Sequence, residues 1–206
     1  MSKTLIIGSS GYIGSNLFSR FKNSGRDVIG TYYNNKKNSA VFFDVEKSDL
    51  PNDLELGHVV FASASYKRVD DFKKNWENCE RADLEGTKMI MGQCFERGIF
   101  PIYLSTDYVF DGEKGNYSEN DKTNPLNCYG FIKTEIEKYL IENKGHPWAV
   151  IRNGRVFGLE RNDGTLISET VKKLNSGSNL KFASDQIFTP VYVKDLCDVV
   201  EKIIDK

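Results

Sequence analysis

Thr4-Leu5-Ile6-Ile7-Gly8-Ser9-Ser10-Gly11-Tyr12-Ile13-Gly14, near the start of the chain, is the stretch whose reading decides the fold. A continuous apolar run ends at Gly8, and beyond Gly11 the apolar spacing becomes helical. This predicts a strand over Lys3–Ile7 and a helix over Tyr12–Asn23. Glycines at these positions let the backbone turn tightly and approach a diphosphate. The helix that follows offers unpaired N–H groups and the positive end of its dipole. Gly8, Ser10, Gly11, Tyr12, Ile13 and Gly14 are therefore candidate cofactor-binding residues, with GxxGxxG spacing rather than GxGxxG.

Outward from that unit the chain alternates. Further strand-like runs fall at Asp27–Tyr32, Ala40–Phe43, His58–Ala62, Ile99–Leu104 and Trp148–Ile151, several of them continuously apolar as in buried parallel sheets. Helical patterns occupy Glu77–Arg97, stopped by Gly98, and Pro125–Asn143. The link around Leu50-Pro51-Asn52-Asp53 is too short for a full crossover helix. The succession predicts an α/β fold, a doubly wound parallel sheet whose ligand crevice lies at the carboxyl ends of the strands. After Ile151 we expect a loop at Asn153–Asp163, a helix at Thr165–Leu174, short strands at Leu180–Phe182 and Val191–Val193, and a closing helix at Lys194–Ile204. The whole of 1–206 reads as one domain, with about 153–193 forming a small, truncated substrate-capping region.

The 28 Lys+Arg residues against 29 Asp+Glu leave a formal charge of −1 without a basic stripe, which argues against a nucleic-acid partner. A mean hydropathy of −0.46 and the lack of a long apolar stretch argue against a spanning helix, and a Gly-rich N-terminus is unlike a signal peptide, so a cytoplasmic protein is expected. Cys79, Cys94, Cys128 and Cys197 are widely spaced and read as reduced thiols. His58 and His146 stand alone, so no metal site is expected. The charged stretch 67–85 reads as a solvated helix surface or a dimer face.

No Asp or Glu occurs between Val28 and Phe43, where an NAD site would carry an acid for the ribose 2′-hydroxyl. Asn34, Lys36 and Lys37 follow the second strand instead, placed to meet a 2′-phosphate, which predicts NADPH over NADH; a solvated Lys-Lys turn is the competing reading. Asp44 is a further candidate, for the adenine amino group. Tyr129 and Lys133 are four residues apart and share one helix face. A phenol is a poor acid–base group near neutrality, and the expectation is that Lys133 lowers its pKa. A hydroxyl beside the tyrosine completes the set, Thr106 at the end of a strand, with Ser105 as its alternative.

These stretches resemble the extended short-chain dehydrogenase/reductases, in particular the dTDP-4-dehydrorhamnose reductase branch. The matching segments include Gly8–Gly14, 61–70, Ser105-Thr106-Asp107-Tyr108-Val109-Phe110-Asp111-Gly112, 124–130, Val150-Ile151-Arg152, Asp185-Gln186 and Thr189-Pro190. The resemblance implies a Rossmann-type fold in which Thr106, Tyr129 and Lys133 carry catalysis and Ala62, Ser63 and Ala64 line the cofactor. It further implies that Ser105, Asp107, Tyr108, Val109, Arg152, Arg155 and Gln186 face a nucleotide sugar. The chain departs from the family pattern at Asp83, where relatives often have Asn, and at Arg155, where they often have an aromatic residue. It also ends at Lys206, where relatives usually continue, so either the substrate is loosely covered or a homodimer mate or completing partner subunit closes the pocket. Two other family roles stay open, a non-catalytic NADP-binding subunit like that of methionine adenosyltransferase and a sugar-nucleotide epimerase or dehydratase.

Overall fold

Strands that are apolar along their whole length must be covered on both faces, and that is how the chain folds. The computed structural model describes residues 2–66, 69–159, 164–184 and 187–206. Six strands, β1 (Lys3–Ile7), β2 (Val28–Tyr32), β3 (Ala40–Phe42), β4 (Leu56–Phe61), β5 (Phe100–Thr106) and β6 (Ala149–Asn153), form one sheet in the order β3-β2-β1-β4-β5-β6. The pairings of β1 with β2 and β4, of β2 with β3 and of β4 with β5 are parallel. Alternate residues of a strand face opposite ways. Leu5 and Ile7 join a buried cluster with Ile90, Met91, Ile132, Ile136 and Leu140, while Ile6 faces the other side.

Helix α1 (Tyr12–Asn23) buries Gly14, Leu17 and Phe21, a stripe at helical spacing. Helix α4 (Thr87–Glu96) and α5 (Cys128–Glu142) supply the cluster on the Leu5 side. The link from β3 to β4 has no helix, as its length predicts. Gln93 of α4 and Arg97 just past its end hold it instead, Arg97 donating to the Leu50 and Pro51 carbonyls at 3.1 and 2.9 Å and Gln93 accepting the Leu50 N–H at 2.8 Å.

The segment expected as one helix over Glu77–Arg97 is divided. A short α2 (Val69–Lys74) precedes it, and α3 (Trp76–Cys79) leads into a π-helical segment, Glu80–Gly86, before α4 begins. Gly86 is packed against backbone there; a Cβ would lie 2.8 Å from the Val45 carbonyl oxygen. Helix α5 starts later than expected, because Asn127 caps it by accepting the Gly130 N–H at 2.8 Å, leaving Pro125 outside.

The chain divides into two compact units, 1–152 and 153–206. In the second, β7 (Val156–Phe157) lies inside the expected loop and pairs in parallel with β8 (Val191–Tyr192), followed by α7 (Val193–Ile204). Thr165 caps α6 (Leu166–Asn175). The strand expected at Leu180–Phe182 is absent: the stretch carries no ladder, and Phe182 is exposed. Among the described residues no helix is long and apolar enough to cross a membrane, and no cluster of His, Cys, Asp and Glu could hold a metal ion. The four cysteines form no disulfide.

Candidate active site

Strand order reverses between β1 and β4, so the loops that leave their carboxyl ends diverge to either side of one crevice. Gly8, with φ +88°, turns the chain out of β1, and a Cβ on it would strike Ser63 Cα at 2.8 Å. At Gly14 a Cβ would lie 2.3 Å from the Gly8 carbonyl oxygen, whereas at Gly11 it would meet only that oxygen, at 3.4 Å. The loop is held from behind by Ser9 Oγ donating to the Thr31 carbonyl at 3.0 Å and by Thr31 Oγ1 accepting the Gly8 N–H at 3.1 Å. The N-terminus of α1 carries no side-chain cap and no acidic residue in its first turn. Backbone donors with room at Gly11 and without a competing carboxylate fit a dinucleotide diphosphate. Ser10, Tyr12 and Ile13 share this loop and first turn.

Asn34, Lys36 and Lys37 are exposed in the segment between β2 and β3. Asp44 is buried, and its carboxylate accepts the Glu46 N–H at 3.0 Å. Ala62 donates its N–H to the Ile7 carbonyl at 3.0 Å, extending the β1–β4 pairing, and Ser63 and Ala64 follow it to the wall of a narrow cleft.

That cleft is also lined by Tyr129 and Lys133 of α5, Asp83 of the π segment, Thr87 and Tyr103. Thr106 faces Tyr129, and hydrogen bonding between the two hydroxyls favours the phenolate. The Tyr129 ring is seated between Phe72 and Tyr108, at centroid distances of 5.0 and 6.1 Å. Lys133 Nζ donates to the Leu104 carbonyl at 2.9 Å and lies over the Tyr103 and Tyr129 rings at 4.5 and 5.6 Å. The structure thus brings Thr106, Tyr129 and Lys133 together.

The electrostatic balance corrects one sequence expectation. Burial pushes Tyr129 up to about 12, outweighing the Thr106 hydrogen bond, so the phenol is not held below its ordinary value. Burial likewise pulls Lys133 down to about 8, against the opposing charges of Asp83 and Glu137. A lysine whose folded pKa is depressed binds fewer protons folded than unfolded between about pH 8 and 10.5, so wild-type stability rises with pH across that window. Lys133→Met, which removes the buried charge, is expected to be more stable than wild type by up to about 3 kcal/mol at pH 7. The gap should close by about pH 10.5 in chemical denaturation series; a destabilised variant at pH 7 would refute the burial penalty.

The segment 105–112 serves two masters. Ser105 points away from Thr106, its Oγ donating to Glu137 Oε1 at 2.5 Å, and Glu137 in turn accepts Arg152 Nη2 at 2.6 Å. Arg152 also donates to the Glu119 carbonyl at 3.1 Å and covers the Phe110 ring. Val109 is fully buried, and its carbonyl accepts the Asn124 N–H at 2.9 Å. Ser105, Val109 and Arg152 thus each have contacts within the fold as well as their expected place beside the substrate. Asp107 is exposed and Tyr108 half-buried beside Tyr129. Asp111 is held down at about 2 by hydrogen bonds from Tyr117, Asn124 Nδ2 and the Glu113 N–H, which fix the loop entering α5. In the second unit, Arg155 lies over the Phe188 ring at 5.4 Å. Gln186 and its neighbour Asp185 lie outside the described residues.

Two residues of this region carry weak sequence signals. Glu137 continues the stripe Tyr129, Lys133 at the same spacing along α5, a pattern that marks it as facing the same way. Asp83 is visible only as a departure from a family motif.

A family model described as the RmlD substrate binding domain matches residues 2–206. The Bos taurus protein named methionine adenosyltransferase 2 subunit beta is 26% identical over 211 residues, covering 99% of this chain and 62% of that one. A dTDP-4-dehydrorhamnose reductase of Aggregatibacter actinomycetemcomitans is 27% identical over 210 residues, covering 100% of this chain and 68% of its own. The chain thus spans about two thirds of the length of these curated relatives, slightly less for the first of them. Its fold is that of the dTDP-4-dehydrorhamnose reductase of Bacillus anthracis str. Ames in complex with NADP, with a TM-score of 0.84 and 21% identity over 100% of this chain and 71% of that one.

Proposed function

The chain belongs to the RmlD substrate binding domain family, and from that membership we propose that it is an NADPH-dependent reductase of the 4-keto group of a nucleotide-linked deoxysugar. The observation that carries this reading is that Tyr129 and Lys133 line one cleft with Ser63, which packs against Gly8 of the glycine loop, while Thr106 faces Tyr129. Gly8, Gly11, Gly14 and the first turn of α1 would hold the diphosphate, and Ala62, Ser63 and Ala64 would line the nicotinamide half. Bound NADPH supplies the hydride that a carbonyl reduction needs. Tyr129, protonated at neutral pH because burial keeps its pKa high, donates its proton to the carbonyl oxygen as charge develops there. The Thr106 hydroxyl hydrogen-bonds the same oxygen, and the Lys133 ammonium stabilises the phenolate left behind. NADPH consumed mole for mole with alcohol formed tests the reading and separates it from an epimerase, which retains its cofactor through the cycle.

The preference for NADPH over NADH would come from Lys36 and Lys37. Replacing both by Ala is expected to narrow the ratio of the two cofactors' kcat/KM by about tenfold, as a charge-assisted phosphate contact of 1.5–3 kcal/mol implies. An unchanged ratio would assign them to a solvated turn.

A second reading has a specific observation behind it. Relatives named methionine adenosyltransferase 2 subunit beta match across 99% of this chain. In that reading the chain binds a dinucleotide and a partner protein without turnover. Leu166, Ile167, Val171 and Leu174 of α6, all exposed, would supply apolar surface for that partner or for a second copy of the chain. Cofactor binding without oxidation of any 4-keto sugar nucleotide would favour it.

A further inference from the structure

One ionisable group faces the cleft with no part in the reaction described above. Asp83 stands on the π-helical segment, whose wider turn re-aims the side chains it carries. Its two carboxylate oxygens accept the Ser65 N–H at 3.0 and 3.2 Å, which anchors them to the loop leaving β4. It lines the same cleft as Ser63, Ala64, Tyr129 and Lys133. The other carboxylate near Lys133 is Glu137, already committed to Arg152 at 2.6 Å and to the Ser105 hydroxyl. With Glu137 paired to Arg152, Asp83 is the larger of the two negative influences on the lysine.

We propose that Asp83 is a positioning residue of this site, the counter-charge that, fixed on the π turn by the Ser65 N–H, holds the Lys133 ammonium charged beside Tyr129. The proposal's consequence for turnover rests on the reductase reading; the charge coupling itself does not. An Asn at this position would accept the same N–H but carry no charge. Asp83 therefore adds to the loop anchor an electrostatic setting that the amide lacks.

The groups packed around the pair are few. Cys79 comes from α3, Tyr103 from β5, and Tyr129 and Glu137 from α5, with Asp107 and Tyr108 acting on Tyr129 from the turn after β5. Among these, Asp83 is the first opposing influence on the burial of Lys133; burial raises the Asp83 carboxyl above its ordinary value, and the Ser65 hydrogen bond and then the Lys133 ammonium work against that rise to favour its ionised form. The sign is the same for both members of the catalytic pair. A carboxylate nearby raises the pKa of the ammonium and that of the phenol, so its removal lowers both.

The test is a ¹⁵N NMR titration of the Lys133 ammonium in cofactor-free protein, its signal assigned by its loss in Lys133→Met. With wild type titrating near 8, Asp83→Asn is expected to move the midpoint down by about one pH unit, the lower end of the range for an opposite charge close by. Asp83→Glu, which keeps the charge, should titrate close to wild type. An unmoved midpoint in Asp83→Asn, or an Asp83→Glu midpoint displaced as far as that of the amide, would overturn the proposal. In turnover assays the alkaline limb of kcat/KM should move down with the midpoint. If the midpoint moves and the limb does not, the coupling stands and the role of Lys133 in the reductase reading fails.

Discussion

Tyr129→Phe is expected to lose between about 10² and 10⁴-fold in turnover, the range that a positioned general acid contributes, while its NADPH affinity stays at the wild-type value. The separation follows from the packing. The Tyr129 ring rests against Phe72 and Tyr108, contacts that a phenylalanine ring retains. What disappears is the hydroxyl that meets Thr106, and Thr106 keeps the Tyr108 N–H at 3.3 Å and Asp107 at 3.2 Å. The fold should therefore be spared, with a change in unfolding free energy of no more than about 1 kcal/mol. Wild-type turnover in this variant would remove Tyr129 from the reaction; loss of NADPH binding would show that the substitution had disturbed the crevice.

The glycine loop yields the second large effect, because two of its glycines are required for different reasons. A methyl group at Gly14 would meet the Gly8 oxygen and carbon and Ser9 Cα at 2.3, 2.8 and 2.9 Å. All three are backbone atoms, so relief requires the loop itself to move away from α1. Gly14→Ala is expected to cost about 1–3 kcal/mol of stability and to weaken cofactor binding together with it. At Gly11 the same methyl group finds only the Gly8 oxygen, at 3.4 Å, and projects into the space where a diphosphate would lie. Gly11→Ala should therefore keep its melting temperature but bind NADPH about 10–100-fold more weakly, the loss of one charge-assisted hydrogen bond. Equal melting temperatures and equal affinities in both variants would place the cofactor elsewhere.

How much of this was legible in the sequence depends on how local the cause is. The strand Lys3–Ile7 and the helix Tyr12–Asn23 come out at the bounds expected, since the change of apolar period and the glycines between them lie in one short stretch. The pairing of Tyr129 with Lys133 is equally local, one turn of one helix. The π segment is not, because Glu80–Gly86 reads as ordinary helix until Gly86 meets the Val45 carbonyl from a distant link. The substrate-facing places of Ser105 and Arg152 come from the family resemblance, and no local pattern shows what else they bind. Their partner within the fold, Glu137, stands 32 and 15 positions away in the chain, and its burial demands that pairing. The pKa of Tyr129 went the other way for the same reason: a neighbouring cation can be read from spacing, but the depth of burial that outweighs it cannot.

The central claim is that this cleft reduces a carbonyl. Its most direct test is NADPH oxidation by the purified protein against a panel of 4-keto nucleotide sugars, followed at 340 nm with product alcohol quantified. The account predicts that at least one member is reduced with one NADPH consumed per alcohol formed. NADPH that binds yet is oxidised by no member of the panel would contradict it.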